Sequence, residues 1–362
     1  MSRDAQRDLR TARASLTPGA RLLGVLLLWA CTATIHACSI PVFRYALDRW
    51  QADPFQLEVS PADAQDEGVA QFLRNFTDTT PLNLTVVRSK DAAKSSLTFP
   101  HPEPGDTEAW SGKLDAATIE RMTASPARTE IVKRTLAGDS TVWVVVESGR
   151  KDEDDRAAAA LEKRLRYLEQ ASELPPIDPN DPSSKLGPGP ALGVKFSVVR
   201  IRHDDPAEQI FLKMLTGPKA TDAPSKGPWI AAVFGRGRAL GAWSAEGFGD
   251  EQIEEVCSFL LGACSCEVKR LNPGWDLLVN ADWEERLDAA EQARLAEPVA
   301  EGKAPPQRAA AVMPETVTIR PPAPALAPAK VPGNNRTMIL IVGGALGLAA
   351  LAAFLAKLRP SR

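Results

Sequence analysis

Residues Met338–Ala356, MILIVGGALGLAALAAFLA, carry no charged side chain and come close to the about 20 apolar residues that a helix needs to cross a bilayer. A run this long and this apolar is read as a membrane span. Lys357, Arg359 and Arg362 follow at once. The positive-inside rule places that short tail, 357–362, in the cytoplasm and everything before the span outside it. Gly343 and Gly347 form a GxxxG, continued by Ala345, Ala349 and Ala353. The spacing suits a helix-pairing face that would join two copies, and it equally suits a span that is simply rich in small residues.

The other end fits the same topology. Arg3, Arg7, Arg10, Arg13 and Arg21 precede the apolar run Leu22–Ala30, LLGVLLLWA, and small residues follow. This is the layout of an export signal over 1–37. Cleavage after Ala30, Ala33 or Ala37 leaves a small residue at the cut. LWAC at Cys31 and IHAC at Cys38 loosely match a lipidation box, and an uncleaved signal anchor is the remaining reading. Between body and span, 291–337 is dense in Pro and Ala, as in RPPAPALAPAKVPG. Such a stretch cannot bury a core and is expected as an extended, semi-rigid stalk. The expected location is therefore a cell membrane, single-pass, with the body on the periplasmic side of the envelope.

Composition narrows the function. The formal net charge is -3 and no basic stripe occurs, which argues against a nucleic-acid partner. Three histidines, His36, His101 and His203, are a thin supply for general-base or metal chemistry. Five cysteines are present: Cys31, Cys38, Cys257, Cys264 and Cys266. Outside the cytoplasm they could form disulfides.

The body reads as α/β in two lobes, 38–139 and 140–290. In the second, Thr141–Val146 is a continuous apolar run with β-branched residues, expected as a buried central strand. A helix follows over 152–170, then a Pro/Asp/Ser/Gly-rich insertion at 171–193 and a strand over 195–201. Pro206 is expected to open a helix. WIAAVF, a Gly-Arg-Gly turn and RALGAWS make a hairpin, and Asp250 is expected to cap a last helix. The first lobe is expected to hold a helix from Pro41 to Trp50, a strand over 55–59 and a helix over 66–76. Strands over 82–88 and 96–99 follow, then helices over 114–122 and 126–137, the latter capped by Ser125.

The second lobe's order βαβαββα, with Gly227-Pro228 just before its third strand and VFGRGRALGAW as a closing hairpin, resembles the thioredoxin fold. The resemblance implies that Pro228 is the family's cis-proline. It also implies a Cys-x-x-Cys between first strand and first helix, where this chain has Glu147-Ser148-Gly149-Arg150-Lys151. Dithiol exchange needs a thiolate at that helix N-terminus, so it is not expected of this lobe. The first lobe resembles a shortened copy, with Cys38 in the first-cysteine position and Pro41 in the second. The whole chain is thus expected as two tandem thioredoxin-like lobes plus a C-terminal transmembrane helix. CSIPVFRYALDRW and CSFLLGACSCEVKRLNPGWDLL are also similar to membrane-anchored bacterial envelope proteins, a resemblance that implies no activity.

Cys264-Ser265-Cys266 is the most chemical-looking motif. Two thiols one residue apart, with Cys257 two helical turns upstream, could ligate a soft ion such as Cu(I) or form a labile disulfide. They could equally be buried or structural. Zinc lacks a clear fourth ligand. Gly235-Arg236-Gly237 lacks the strand-then-helix context of a phosphate loop, and His203-Asp204-Asp205 has no evident partner. No nucleophile elbow or HExxH motif occurs. Two functions follow. The first is a tethered binding or scaffolding module for an envelope protein, without catalysis or cofactor. The second is a thiol-dependent redox or copper-handling accessory using Cys38, Cys257, Cys264 and Cys266.

Overall fold

The computed structural model describes residues 39–319, apart from 78, 102–107, 179, 219–226, 265–267 and 297–313. The expected export signal, the apolar run Met338–Ala356 and the 357–362 tail lie outside the described residues. Among the described residues, no helix is long and apolar enough to cross a membrane. They form a mixed α/β structure with two sheets and several helices.

In chain order, α1 (Val42–Arg49) precedes β1 (Phe55–Val59), α2 (Glu67–Asn75), β2 (Leu84–Arg88), β3 (Ser95–Thr98) and β4 (Glu108–Gly112). Next come α3 (Ala116–Thr123), α4 (Pro126–Leu136), β5 (Thr141–Glu147), α5 (Lys151–Ala171), β6 (Phe196–Arg202) and α6 (Gln209–Thr216). The hairpin β7 (Trp229–Phe234) and β8 (Arg238–Ser244) leads to α7 (Asp250–Leu261), β9 (Trp275–Asp276), α8 (Trp283–Ala296) and β10 (Glu315–Thr318). Local chemistry explains several boundaries. Asp66, Asp115 and Ser125 each accept backbone N–H bonds from the first turn of the helix they precede. β1 alternates, with Phe55, Leu57 and Val59 inward. β5 is apolar throughout because both its faces are covered.

The two sheets repeat one pattern. In the first, the order is β2-β1-β3-β4, with β2 parallel to β1, and β3 and β4 antiparallel in turn. In the second, the order is β10-β6-β5-β7-β8-β9, with β6 parallel to β5, and β7 and β8 antiparallel in turn. The central strand β5 has β6 and β7 as its neighbours, as its apolar sequence leads one to expect. β4 had no counterpart in the sequence reading.

One face of β5, carrying Val142, Val144 and Val146, joins a core that runs without a break into β1, β2 and β3. Ile131 and Val132 of α4 and Ile210, Phe211, Met214 and Leu215 of α6 fill the space between the sheets. Trp143 and Val145 point the other way. On that side α5 lies along β5 and β6 and packs on α7.

Five expectations need correction. Helix α4 lies before the expected boundary at 139/140, yet it covers β5 and β6 of the second sheet. Helix α1, assigned to the first lobe, packs on β7 and α7, and no strand of the first sheet precedes it among the described residues. The apolar surfaces of α1 and α4 match the larger sheet, so elements on both sides of the expected boundary pack on it. Within the stretch expected as a stalk over 291–337, residues up to Ala296 belong to α8 and Glu315–Thr318 pair with β6 as β10. Two helix starts also differ. The second-lobe helix expected at Pro206 begins at Gln209, because Asp205 closes a separate turn through the Ala207 N–H. Gly249, not Asp250, is the N-cap of α7, and its N–H donates to Gln252 Oε1 at 2.9 Å.

The insertion at 171–193 is a strap over α1. Arg44, buried on α1, donates to the carbonyls of Pro190 and Gly187, each at 2.7 Å, and pairs with Asp48 at 2.8 Å. Asp48 in turn accepts from the Gly187 N–H at 2.9 Å.

Candidate functional site

A thioredoxin-like arrangement would put its chemistry at the end of β5, in the loop that enters α5. That loop is Ser148-Gly149-Arg150, and its polar groups are turned inward onto one carboxylate. Asp154, 3% exposed, accepts from the Ser148 N–H at 2.7 Å, the Ser148 hydroxyl at 2.8 Å and the Gly149 N–H at 3.0 Å. Gly149 makes the bend at φ +87°, a left-handed conformation that favours glycine. The free N–H groups and positive dipole end of a helix N-terminus are what would stabilise a thiolate or bind an anion. Here Asp154 takes the N–H groups of Ser148 and Gly149, just ahead of the helix that Arg150 caps.

The neighbouring strand closes the loop from the side. The His203 N–H donates to the Glu147 carbonyl at 3.0 Å, and His203 Nδ1 lies 2.8 Å from the same oxygen. His203 is therefore engaged by the Glu147 backbone carbonyl. Gly227 faces the loop: the Arg150 guanidinium lies 3.7 Å from where a β-carbon at Gly227 would stand. Pro228 is buried, and its carbonyl accepts from the Ala245 N–H at 2.9 Å. The loop and the Gly227-Pro228 segment thus share one end of the sheet.

The rim of this end is charged and paired. Arg150 meets Glu153 at 2.6 Å, and Arg200 meets both Glu147 and Asp155 at 2.7 Å. Arg202 pairs with Asp204. Hydrogen bonds from Lys151 and Arg200 hold the Asp155 carboxyl down at about 2. Exposed Arg150 and Lys151 stand at the loop's outer surface. This end can present a shaped, charged surface; the loop carries no cysteine, and its one hydroxyl, Ser148, donates to Asp154.

The cysteines are placed only in part. Cys31, Cys38 and Cys266 lie outside the described residues. Cys257 and Cys264 are each 1% exposed. Cys257 carries a free thiol on the inner face of α7, and burial pushes its pKa far above the ordinary range. A thiol held neutral in this way is a poor nucleophile and a poor metal ligand. The Cys264 N–H donates to the Ile40 carbonyl at 2.9 Å beside an antiparallel pairing of Pro41 with Ala263. That pairing fixes the start of α1 against the end of α7. Among the described residues, no group of three or more His, Cys, Asp or Glu side chains could hold a metal ion.

Sequence reasoning missed a cluster of cations around the β7–β8 turn. Arg236, 4% exposed, donates to the Leu47 carbonyl at 2.8 Å, to Gln51 at 3.0 Å and to Glu284 at 2.7 Å. Arg238 pairs with Asp276 at 2.9 Å and donates to the carbonyls of Pro273, Asn272 and Gly274. Lys269 meets Asp53 at 2.9 Å and also Asp276. These cations fasten the hairpin turn to α1, α8 and the segment before β9. Their donors are turned to protein acceptors, so the narrow cleft they line with Trp50 is a structural joint. The signal in the sequence was two arginines within an otherwise apolar hairpin, VFGRGRALGAW, where charge has to be paired to be buried.

No protein-family model, no curated protein and no solved structure matches this chain.

Proposed function

We propose that this protein is a membrane-tethered, extracytoplasmic binding or scaffolding module without catalytic activity, built from two thioredoxin-like lobes. Its partner on this reading is a protein of the cell envelope, and Met338–Ala356 anchors it. The observation that carries the reading is the loop after β5. Where a dithiol would act, the loop has Ser148, Gly149 and Arg150, and Asp154 takes its N–H groups. The strand order around β5, with one parallel and one antiparallel neighbour and an outer antiparallel hairpin strand, supports the fold assignment. The same order around β1 supports a second, shorter copy. Two apolar runs at the ends, with cations after the second, support the tether.

The test uses the full chain. A photo-crosslinking amino acid in place of Arg150 should give a discrete protein adduct in intact cells. The detergent-purified chain should reduce insulin disulfides no faster than its Cys257→Ser/Cys264→Ser/Cys266→Ser variant. Reductase turnover or stoichiometric Cu(I) binding that the variant loses would replace this reading with the thiol-dependent one.

A further inference from the structure

β2 is an edge of the first sheet, and its sequence does little to guard that edge. Leu84-Thr85-Val86-Val87-Arg88 has β-branched residues at its centre, no proline, and a single charge at its end. Its register with β1 runs from Phe55 opposite Leu84 to Val59 opposite Arg88 without a bulge. Edge strands are ordinarily protected by proline, bulges or inward charges, because their free backbone groups template pairing with another strand. The sheet's other edge, β4, shifts register against β3 and touches α6.

The ladder with β1 fixes which backbone groups of β2 are free. The Phe55 N–H donates to the Asn83 carbonyl and the Ser89 N–H to the Val59 carbonyl, each at 2.9 Å. Alternate residues of a strand turn their N–H and C=O to the same neighbour. Thr85 and Val87 therefore face β1, while Leu84, Val86 and Arg88 face outward. The Leu84 N–H closes a tight turn onto the Leu82 carbonyl at 2.7 Å. The Leu84 carbonyl and both backbone groups of Val86 and Arg88 have no partner among the described residues. Side chains alternate across this edge. Val86 is half-buried against the core, whereas Thr85 and Val87 stand on the outer face, with Val87 39% exposed.

The end of the strand is cationic. Arg88 and Lys90 are exposed, and neither has a hydrogen bond or ion pair among the described residues. On the outer face, Glu58 of β1 lies opposite Val87. A carboxylate is thus favoured beyond Arg88 and disfavoured beside Val87.

We propose that the open edge of β2 docks an extended, acidic segment of a protein partner, which adds a strand to the first sheet. The proposal rests on the binding-module reading and names the surface and the chemistry it takes. Backbone bonds to Val86 and Arg88 would attach the segment. An apolar side chain beside Val87 and carboxylates over Arg88 and Lys90 would set its register. A second copy of this chain fits less well, because its own β2 would bring cations, not carboxylates, to the edge.

The experiment uses the full chain in detergent and a synthetic peptide of alternating Thr and Val that ends in Asp-Glu, with a control peptide that ends in Lys-Lys. Hydrogen exchange read by NMR should show the Val86 and Arg88 amides open in the free chain and slowed about tenfold or more by the acidic-ended peptide. The Thr85 and Val87 amides should be slow throughout. The Lys-ended control should bind severalfold more weakly, and Arg88→Glu with Lys90→Glu should reverse that preference while leaving the thermal melt in place. Val86 and Arg88 amides already slow in the free chain would overturn the open edge. Equal binding of the two peptides, or no protection by either, would overturn the assigned chemistry. Protection that rises with the chain's own concentration would give the edge to a second copy and overturn the proposal. Adducts at position 150 in cells, with no peptide protection at β2, would leave the binding-module reading standing and remove this edge from it. Reductase turnover that the cysteine variant loses, with β2 protection intact, would replace that reading and leave the edge standing as a peptide site.

Discussion

Asp63 shows how a single side chain ties the first sheet together. It sits 8% exposed in a short turn after β1, accepts from the Ser95 hydroxyl at 2.6 Å and from the Leu114 N–H at 3.1 Å, and so joins the starts of β3 and α3. Burial alone would raise its pKa, but the bonds from Ser95, Leu114 and Ser60 outweigh it and hold the carboxyl below its ordinary range. A carboxyl with a lowered folded-state pKa adds stability above its unfolded value, and that contribution fades as pH falls through the folded value. Asp63→Ala should therefore cost about 2 kcal/mol near neutral pH. The gap from the native chain should narrow below about pH 4. Urea unfolding of both chains across pH measures it, and a gap that stays constant would assign the cost to packing alone. Cys257 makes a second residue-scale case. Buried and held neutral, it should resist iodoacetamide at pH 8 in the folded chain and react once the chain is unfolded. Rapid labelling of native Cys257, read by peptide mass, would reopen thiol chemistry.

At the level of elements, the β7–β8 turn is the joint on which α1 depends. Gly235 has φ +56°, and a β-carbon there would stand 2.7 Å from the Ala46 β-carbon on α1. Alanine would strain the backbone and push the helix away from the turn. Gly235→Ala should destabilise by about 1–3 kcal/mol, visible as a drop in Tm; an unchanged Tm would mean that α1 is not seated as described. Elements of this kind differ in how legible they were. Thr141–Val146 announced a central strand because its five consecutive apolar residues, Val142–Val146, need both faces covered. Asp66 and Ser125 marked helix starts through their capping oxygens. β4 was not legible, since EAWSG is short, has one large apolar residue and forms the sheet's edge. β10 was hidden because four strand-forming residues lay within a Pro-rich stretch whose composition points to a stalk.

For the whole molecule, the sequence indicated two lobes but not that elements on both sides of the expected boundary pack on the larger sheet. The contacts of α1 and α4 with the larger sheet join residues far apart in the chain, and local periodicity carries no signal for that. The candidate loop was legible as a place without cysteine, but the Asp154 closure depended on a side chain turning back across the helix start. One core spanning both sheets implies one cooperative unit. Calorimetry of the full chain should give a single transition for the body, with van't Hoff and calorimetric enthalpies in agreement; two resolved transitions would mean independent lobes. The central claim is that this body is carried outside the cytoplasm on a C-terminal tether. Its most direct test is a pair of reporter fusions in a bacterial host. Alkaline phosphatase inserted within 297–313 should be active and a fluorescent protein after Arg362 should glow, since the first matures only outside the cytoplasm and the second only inside. An inactive phosphatase with a dark C-terminal fusion would contradict the account.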